Sequence, residues 1–406
     1  MAQTTSQANR THIGIFGRTN AGKSSLVNLI TKQSASIVSS IPGTTTDVVK
    51  KPIEIHGIGA CVLLDTAGLD DTTPLKKERL EKTYEALEQT DIAFLLFSHT
   101  DTSVEEDFLQ EIKAKHIPCI GILSHSDELS EETREEKIAH LEAKLHIPFV
   151  AISMMSGWGL PVLRDMLIHV ANGTQQKRNM CDGMVQKGDT VILVMPQDAE
   201  APVGRLIQPQ AMAIRDLLDK HCKIISVATE EFLEALENCK KQPQLVIVDS
   251  QVFHTIAPLV PKGTKLTSFS ILMAGMKGDI RYYAESAKAI ATLKKDAKVL
   301  IAECCTHAPV EEDIGRVKIP NLLRKKISPD LQIEVKAGTN FPADASQYDL
   351  IIQCGGCMFN RRYIMNRINH AKYANVPMTN YGIAIAYLNG ILEQVTLPTE
   401  ENYGRN

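Results

Sequence analysis

Gly17-Arg18-Thr19-Asn20-Ala21-Gly22-Lys23-Ser24 is the stretch that decides how this 406-residue chain begins to fold. It fits the pattern Gly-x-x-x-x-Gly-Lys-Ser, directly behind a strand-like run at 12–16 and ahead of a helical pattern at 24–31. Glycines at such a strand-to-helix turn let backbone N–H groups close around phosphate oxygens. Lys23 supplies positive charge and the Ser24 hydroxyl suits Mg²⁺. Gly17, Asn20, Ala21, Gly22, Lys23, Ser24 and Ser25 are therefore the candidate phosphate-binding residues.

Outward from this loop, strand-like runs recur at 60–64, 92–97, 119–124 and 149–152. They alternate with helical patterns near 75–89, 104–116 and 133–145. That rhythm indicates a parallel sheet covered by helices. It ends after a helix at 160–170, where 171–178 turns polar, so the first domain is expected to span 1–174. A second block over 175–261 carries strands at 190–195, 223–227 and 245–248, with helices near 209–218 and 230–239. A third over 262–406 carries strands at 266–273, 298–302, 332–335 and 348–352, with helices near 281–292, 360–371 and 379–392. The expected class is α/β: a P-loop domain followed by two smaller α/β domains with mainly parallel sheets.

Composition narrows the setting. Apolar residues make up 44%, ample for several cores, and the formal net charge is -4 with 44 basic and 48 acidic side chains. That balance gives no general electrostatic case for nucleic acid. No run approaches the ~20 apolar residues that span a bilayer, and MAQTTSQANR lacks an apolar segment behind its Arg. A cytoplasmic chain with no membrane partner is expected, and its nine Cys are expected as thiols or metal ligands rather than disulfides.

Asp65-Thr66-Ala67-Gly68 follows the run 60–64. Asp65 is placed to hold Mg²⁺, commonly through water, and the Gly68 N–H to sense a γ-phosphate. Between the two motifs, Pro42-Gly43-Thr44-Thr45-Thr46-Asp47 offers Thr45 as a residue that closes over the ion. In this order, NAGKS, GTTTD and DTAG make residues 12–160 resemble the Era/TrmE branch of GTPases. The resemblance implies GTP as substrate, Thr45 as the switch threonine, and catalysis resting on Lys23, Thr45 and Gly68 with Mg²⁺. It also implies a potassium ion held by Asn20, which reads equally well as a structural residue of the loop. Leu69 stands where Ras-like enzymes orient water with Gln, so slow intrinsic hydrolysis is expected. For the base, the branch has Asn-Lys-x-Asp; this chain has Ser124-His125-Ser126-Asp127. Asp127 can accept from the guanine N1–H and 2-amino group, whereas Ser124 lacks the amide and His125 the long stem. Ala151-Ile152-Ser153 approximates the branch's last base-contacting loop, which makes Ser153 a candidate base contact.

The other centre is Cys354-Gly355-Gly356-Cys357, behind the run 348–352, with Cys304-Cys305-Thr306-His307 behind 298–302. Two thiolates spaced by two residues converge on zinc or on an iron–sulfur cluster, and strand ends at one edge of a parallel sheet bring distant residues together. Because strand side chains alternate, Cys304 and Cys305 are expected to point to different sides. Cys61, Cys119, Cys181, Cys222 and Cys239 are scattered and read as structural.

With these elements, nearly the whole chain resembles the HydF family, GTPase scaffolds in maturation of the iron–iron hydrogenase active site. Cys305-Thr306-His307, Cys354-Gly355-Gly356-Cys357, Ala201-Pro202-Val203-Gly204-Arg205-Leu206-Ile207 and Asp313-Ile314-Gly315-Arg316-Val317-Lys318-Ile319-Pro320 carry the likeness. It implies a dimerisation domain at 175–261 and a cluster domain at 262–406. It further implies a homodimer and a 4Fe-4S cluster on Cys305, Cys354 and Cys357, with His307 able to approach the fourth iron. A transient diiron subcluster precursor, the radical-SAM partners HydE and HydG, and apo-hydrogenase as recipient complete the implied set. Gln353 stands where the family has His, which leaves the fourth ligand open; Arg361, Arg362 and Lys318 are candidates for an anion-binding surface. The alternative is a ribosome- or tRNA-associated GTPase with zinc on Cys304, Cys305, Cys354 and Cys357, made harder by the adjacent pair. A dithiol redox enzyme is a third reading.

Overall fold

The computed structural model describes residues 7–33, 48–71, 75–98, 101–174, 178–196, 206–304 and 313–398. The chain divides into two compact units, 1–175 and 176–406. Among the described residues no helix is long and apolar enough to cross a membrane.

The first unit is built on six strands: β1 Thr11–Gly17, β2 Val49–Ile55, β3 Gly59–Asp65, β4 Ile92–Phe97, β5 Cys119–Leu123 and β6 Phe149–Ala151. Their order in the sheet is β2-β3-β1-β4-β5-β6. Every pairing is parallel except β2 with β3. β1 and β4 are buried along their whole length, as strands covered by helices on both faces must be, which is why they read as unbroken apolar runs. β2 escaped the sequence reading because Lys50, Lys51 and Pro52 interrupt its pattern. Those residues suit an edge strand, where charge and a missing N–H discourage further pairing. The parallel arrangement delivers Gly17, Asp65, Ser124 and Ser153 to the carboxyl ends of their strands, the edge at which such sheets bind ligands.

The second unit holds two four-stranded, all-parallel sheets. In the first, β7 Thr190–Val194, β8 Lys223–Val227, β9 Leu245–Val248 and β10 Lys265–Ser268 run in the order β10-β9-β7-β8. In the second, β11 Lys298–Ala302, β12 Gln332–Lys336, β13 Leu350–Gln353 and β14 Met378–Asn380 run in the order β12-β11-β13-β14. The run expected as a strand over 266–273 is divided. Its strand stops at Ser268, whose Oγ accepts from the Ile271 N–H at 3.2 Å and starts the helix Phe269–Lys277. An apolar run does not by itself distinguish buried strand from buried helix; the N-cap serine does. β10 pairs with β9, so a strand assigned by sequence to the third block completes the sheet of the second. β14 likewise occupies the start of the segment expected as a helix over 379–392; Asn380 ends the strand and caps Tyr381–Leu388 by accepting from the Gly382 N–H at 2.9 Å.

One core joins these sheets. Ile192 and Val248 from the first, Ile271 from the helix between, and Leu300 and Ile351 from the second belong to a single buried cluster. Removing side-chain volume from one sheet is therefore felt by the other. Ile351→Ala, at a fully buried site, is expected to cost about 2–5 kcal/mol, or roughly 2–4 °C per kcal/mol for a unit of this size. Hydrogen exchange followed by mass spectrometry should show protection falling together in β7 and β11. Loss confined to β11 and β13 would contradict a shared core.

Candidate nucleotide site and candidate cysteine centre

The phosphate loop joins β1 to the helix Lys23–Gln33. Lys23 is 8% exposed, and its Nζ donates to the carbonyls of Gly17 and Arg18 at 3.0 and 2.7 Å. Burial pulls this lysine below its usual range, while Asp65, Asp70 and Glu105 act in the opposite direction. Arg18 ties the loop to the helix Ser103–Ala114: its Nε lies 3.2 Å from both carboxylate oxygens of Glu105, and Nη2 is 3.1 Å from Asp101. Gly17, Asn20 and Gly22 carry the positive φ angles of the turn. Ala21 is buried, whereas Ser24 and Ser25 are exposed.

Asp65 ends β3 beside Ile15 of β1. Burial raises its carboxyl above the ordinary aspartate range, against a hydrogen bond from the Ser24 side chain and the charges of Lys23 and Lys51. Its Oδ1 is buried and has no hydrogen-bond partner. An orphaned carboxylate oxygen next to a hydroxyl is a hard-oxygen pair of the kind Mg²⁺ takes, so the residues present fit that ion.

The segment behind Asp65 lies against the loop. A Cβ on Gly68 would stand 2.1 Å from Thr19 Oγ1 and 2.7 Å from Thr19 N, so only glycine fits. Leu69 N donates to the Gly17 carbonyl at 3.1 Å, and Asp70 Oδ1 accepts from the Thr19 N–H at 2.6 Å. Sequence reading passed over Asp70 and Glu105. Asp70 was adjacent to a recognised motif, whereas Glu105 stands 87 positions from the arginine it holds.

At the base-recognising end, Ser124 is buried and its Oγ donates to the Phe97 carbonyl at 3.2 Å. His125 is in the left-handed region at φ 55, and both it and Asp127 are exposed. Ser153 is buried; its Oγ accepts from the Ser156 N–H at 3.2 Å, and its own N–H donates to the Trp158 carbonyl at 3.1 Å. Met154 packs near Gly22, bringing this loop to the phosphate loop. Thr45 lies outside the described residues.

In the second unit, the register Ala302↔Gln353 sets Cys304 and Cys354 beyond the same end of adjacent parallel strands. The Cys304 N–H donates to Cys354 Sγ at 3.1 Å. Gln353 is fully buried and its Nε2 donates to Cys304 Sγ at 3.1 Å, while its Oε1 accepts from Arg367 Nη1 at the same distance. The hydrogen bond with Cys304 is the first cause holding the Cys354 thiol below its usual range. Gly356, at φ +68, lets the turn pass Ile364, whose Cδ1 a Cβ would approach to 2.7 Å. Cys357 packs beside the helix Phe269–Lys277, and Lys277 Nζ donates to the carbonyls of Gly356 and Phe359 at 3.0 and 2.7 Å.

Cys304 is thus the thiol placed beside Cys354, while Cys305 and His307 lie outside the described residues. Among the described residues, no three His, Cys, Asp or Glu side chains come together as a metal-holding group. Soft sulfur donors, N–H groups aimed at sulfur and buried cations nonetheless suit an anionic iron–sulfur cluster. Of the surface cations singled out by sequence, Lys318 Nζ bonds Gln251 Oε1 at 2.7 Å and Arg361 Nη1 the Gly278 carbonyl at 2.8 Å. The cations at the thiols are Lys277 and Arg367, which no motif marked. Cys61 and Cys119 are buried in the first unit and Cys181 and Cys222 share one core cluster of the second, and burial raises each thiol, Cys61 and Cys119 to about 12. Cys239 packs at the edge of the shared core.

Three family descriptions match in order along the chain: 50S ribosome-binding GTPase over 12–125, Hydrogen maturase F dimerization domain over 180–278, and Hydrogen maturase F tetramerization domain over 281–398. The tRNA modification GTPase MnmE of Heliobacterium modesticaldum is 31% identical over 160 residues, covering 39% of this chain and 34% of that protein. The GTPase Der of Kosmotoga olearia is 34% identical over 172 residues, covering 39% and 38%. The chain therefore spans little more than a third of the length of these relatives, and the likeness falls on its GTPase domain. Among solved structures, the G domain of the T. maritima FeoB iron transporter aligns at 24% identity and a TM-score of 0.31, covering 40% of this chain and 99% of that one. The two maturase descriptions together take in more than half of the residues and fall on the two small sheets, and the chain belongs to the hydrogen maturase F family.

Proposed function

We propose that the chain binds and hydrolyses GTP and serves as a scaffold and carrier in maturation of the iron–iron hydrogenase active site. In this reading the second unit carries a 4Fe-4S cluster, accepts a diiron precursor from the radical-SAM partners HydE and HydG, and delivers it to apo-hydrogenase. The carrying observation is the pairing, in one chain of the hydrogen maturase F family, of a phosphate loop facing the orphaned Asp65 Oδ1 with a thiol chamber at Cys304, Cys354 and Cys357. Self-association through 180–278 and 281–398 is supported by the descriptions matched there, the second pointing beyond a homodimer.

Each residue then has a role. The loop from Gly17 to Ser25 orients the phosphates, Lys23 leaves its two carbonyls for them, and Ser24 and Asp65 hold Mg²⁺. When bound, that ion supplies neutralisation of developing phosphate charge. Entry of a γ-phosphate competes with the Asp70 carboxylate for the Thr19 N–H, which couples the Gly68–Asp70 segment to nucleotide state. Thr45 would complete the Mg²⁺ site, and Asn20 would hold a potassium ion if the chain uses one. Asp127 and Ser153 recognise guanine. Leu69 has no group to orient water, so hydrolysis is slow and serves as a timer for partner exchange. Cys354 and Cys357, with Cys305 as the third ligand, would hold the cluster, which would supply an attachment point for an iron precursor, and His307 would be the further candidate ligand.

Two measurements test the two halves. Trp158 is the sole tryptophan and its carbonyl is bonded to Ser153, so its fluorescence should change on GTP addition. Asp127→Asn, by losing a charge-assisted hydrogen bond worth about 1.5–3 kcal/mol, should weaken GTP binding on the order of ten- to hundred-fold and favour XTP. Unchanged GTP affinity would remove Asp127 from the site. For the cluster, anaerobic loading with iron and sulfide should give about four of each per chain and a reduced-state EPR signal, both lost in Cys354→Ala and Cys357→Ala. Retention of zinc with no cluster would favour the GTPase–zinc alternative instead.

A further inference from the structure

We infer that Lys277 and Arg367 are the charge-compensating positioning residues of the thiol chamber, holding an anionic thiolate-bound cluster in place and setting its reduction potential. The inference rests on the reading of Cys354 and Cys357 as cluster ligands. Its own basis is a charge imbalance. Lys277 is 3% exposed and Arg367 4%, yet among the described residues neither makes an ion pair with a carboxylate.

Their partners are neutral. Lys277 Nζ rests on the carbonyls of Gly356 and Phe359, inside and just after the Cys354–Cys357 turn. Arg367 donates to the carbonyls of Glu303 and Gly338, to Gln353 Oε1 and to Cys304 Sγ. It also lies over Phe341, Tyr363 and Phe359 at 5.0, 4.9 and 5.7 Å, and its Nε is buried without a partner. Among the described residues, two nearby carboxylates are committed elsewhere: Glu303 to Arg316 at 3.1 Å and Asp279 to Lys372 at 2.6 Å.

Two buried cations on carbonyls, rings and a sulfur are costly, because ions leave water only when an opposite charge meets them. The groups whose negative charge, once they hold it as thiolates, would reach both cations are the sulfurs: Cys357, Cys304 and Cys354 beside Lys277, and Cys304 and Cys354 beside Arg367. Thiolates and a bound cluster supply the missing negative charge, and in a low-dielectric pocket that attraction is strong. Each step of cluster reduction adds one electron, here from dithionite, and so gains from the neighbouring cations.

The test is a dithionite titration of the iron- and sulfide-loaded full chain, followed by EPR. Lys277→Met and Arg367→Met would be compared with Lys277→Arg and Arg367→Lys. The methionine variants should shift the midpoint to more negative potential by a tenfold or larger change in the reduction equilibrium, about 59 mV for one electron. The charge-conserving variants should stay near the parent. A methionine variant that folds by circular dichroism but takes up no cluster, with uptake restored by the charge-conserving one, gives the same support. Unshifted potentials in loaded variants would overturn the inference while leaving the cluster reading intact. So would loss of the apo fold in the methionine variants, since the cations would then serve the bare chain. Failure of the parent chain to take up iron and sulfide would instead bring down the cluster reading, and this inference with it.

Discussion

The parallel pairing of β11 with β13 is the constraint on which the second unit depends. With Ala302 opposite Gln353, both strands end together, and the residues just beyond them are delivered to one edge. Cys304 and Cys354 meet there although 50 positions separate them in sequence. The same pairing aims the buried amide of Gln353 at Cys304 and at Arg367, so ligand geometry and charge environment share one register. Side chains alternate along a strand, and a slip by one residue would turn Gln353 away and open the chamber.

The first unit applies the same principle with different chemistry. There the carboxyl edge of a parallel sheet gathers hard oxygen and backbone N–H groups: Ser24, Asp65 and the phosphate loop. In the second unit it gathers sulfur. Among the described residues both centres leave an electrostatic account open, a carboxylate oxygen without a partner in one and two cations without a carboxylate partner in the other. Opposite deficits suit the opposite occupants proposed for them, a divalent cation and an anionic cluster. Buried polar groups in folded proteins are satisfied as a rule, which makes such deficits informative about function.

The helix Phe269–Lys277 links the two small sheets physically. Ser268 ends β10 and starts it, its apolar face enters the cores beside both sheets, and its last residue reaches the Cys354–Cys357 turn. A side chain within the segment matched by the dimerization description therefore lies at the thiols. Assembly through that segment and the state of the cysteine centre share a structural element.

Sequence by itself determined the alternation of strands and helices, the phosphate loop, Asp65 and the two cysteine elements, because each is a local pattern: a period, a turn or a short spacing. It passed over β2, where lysines and a proline suited to an edge break the period, and it merged β10 with the helix behind it, because buried strand and buried helix are equally apolar. Only the tertiary structure decided that Cys304 lies beside Cys354, that Glu105 anchors Arg18, and that Lys277 and Arg367 face the sulfurs. Those are contacts between residues far apart along the chain, and their meaning is electrostatic. A lysine ending an apolar helix looks ordinary in sequence; it becomes informative only once burial has stripped it of water and none of the described carboxylates has taken water's place.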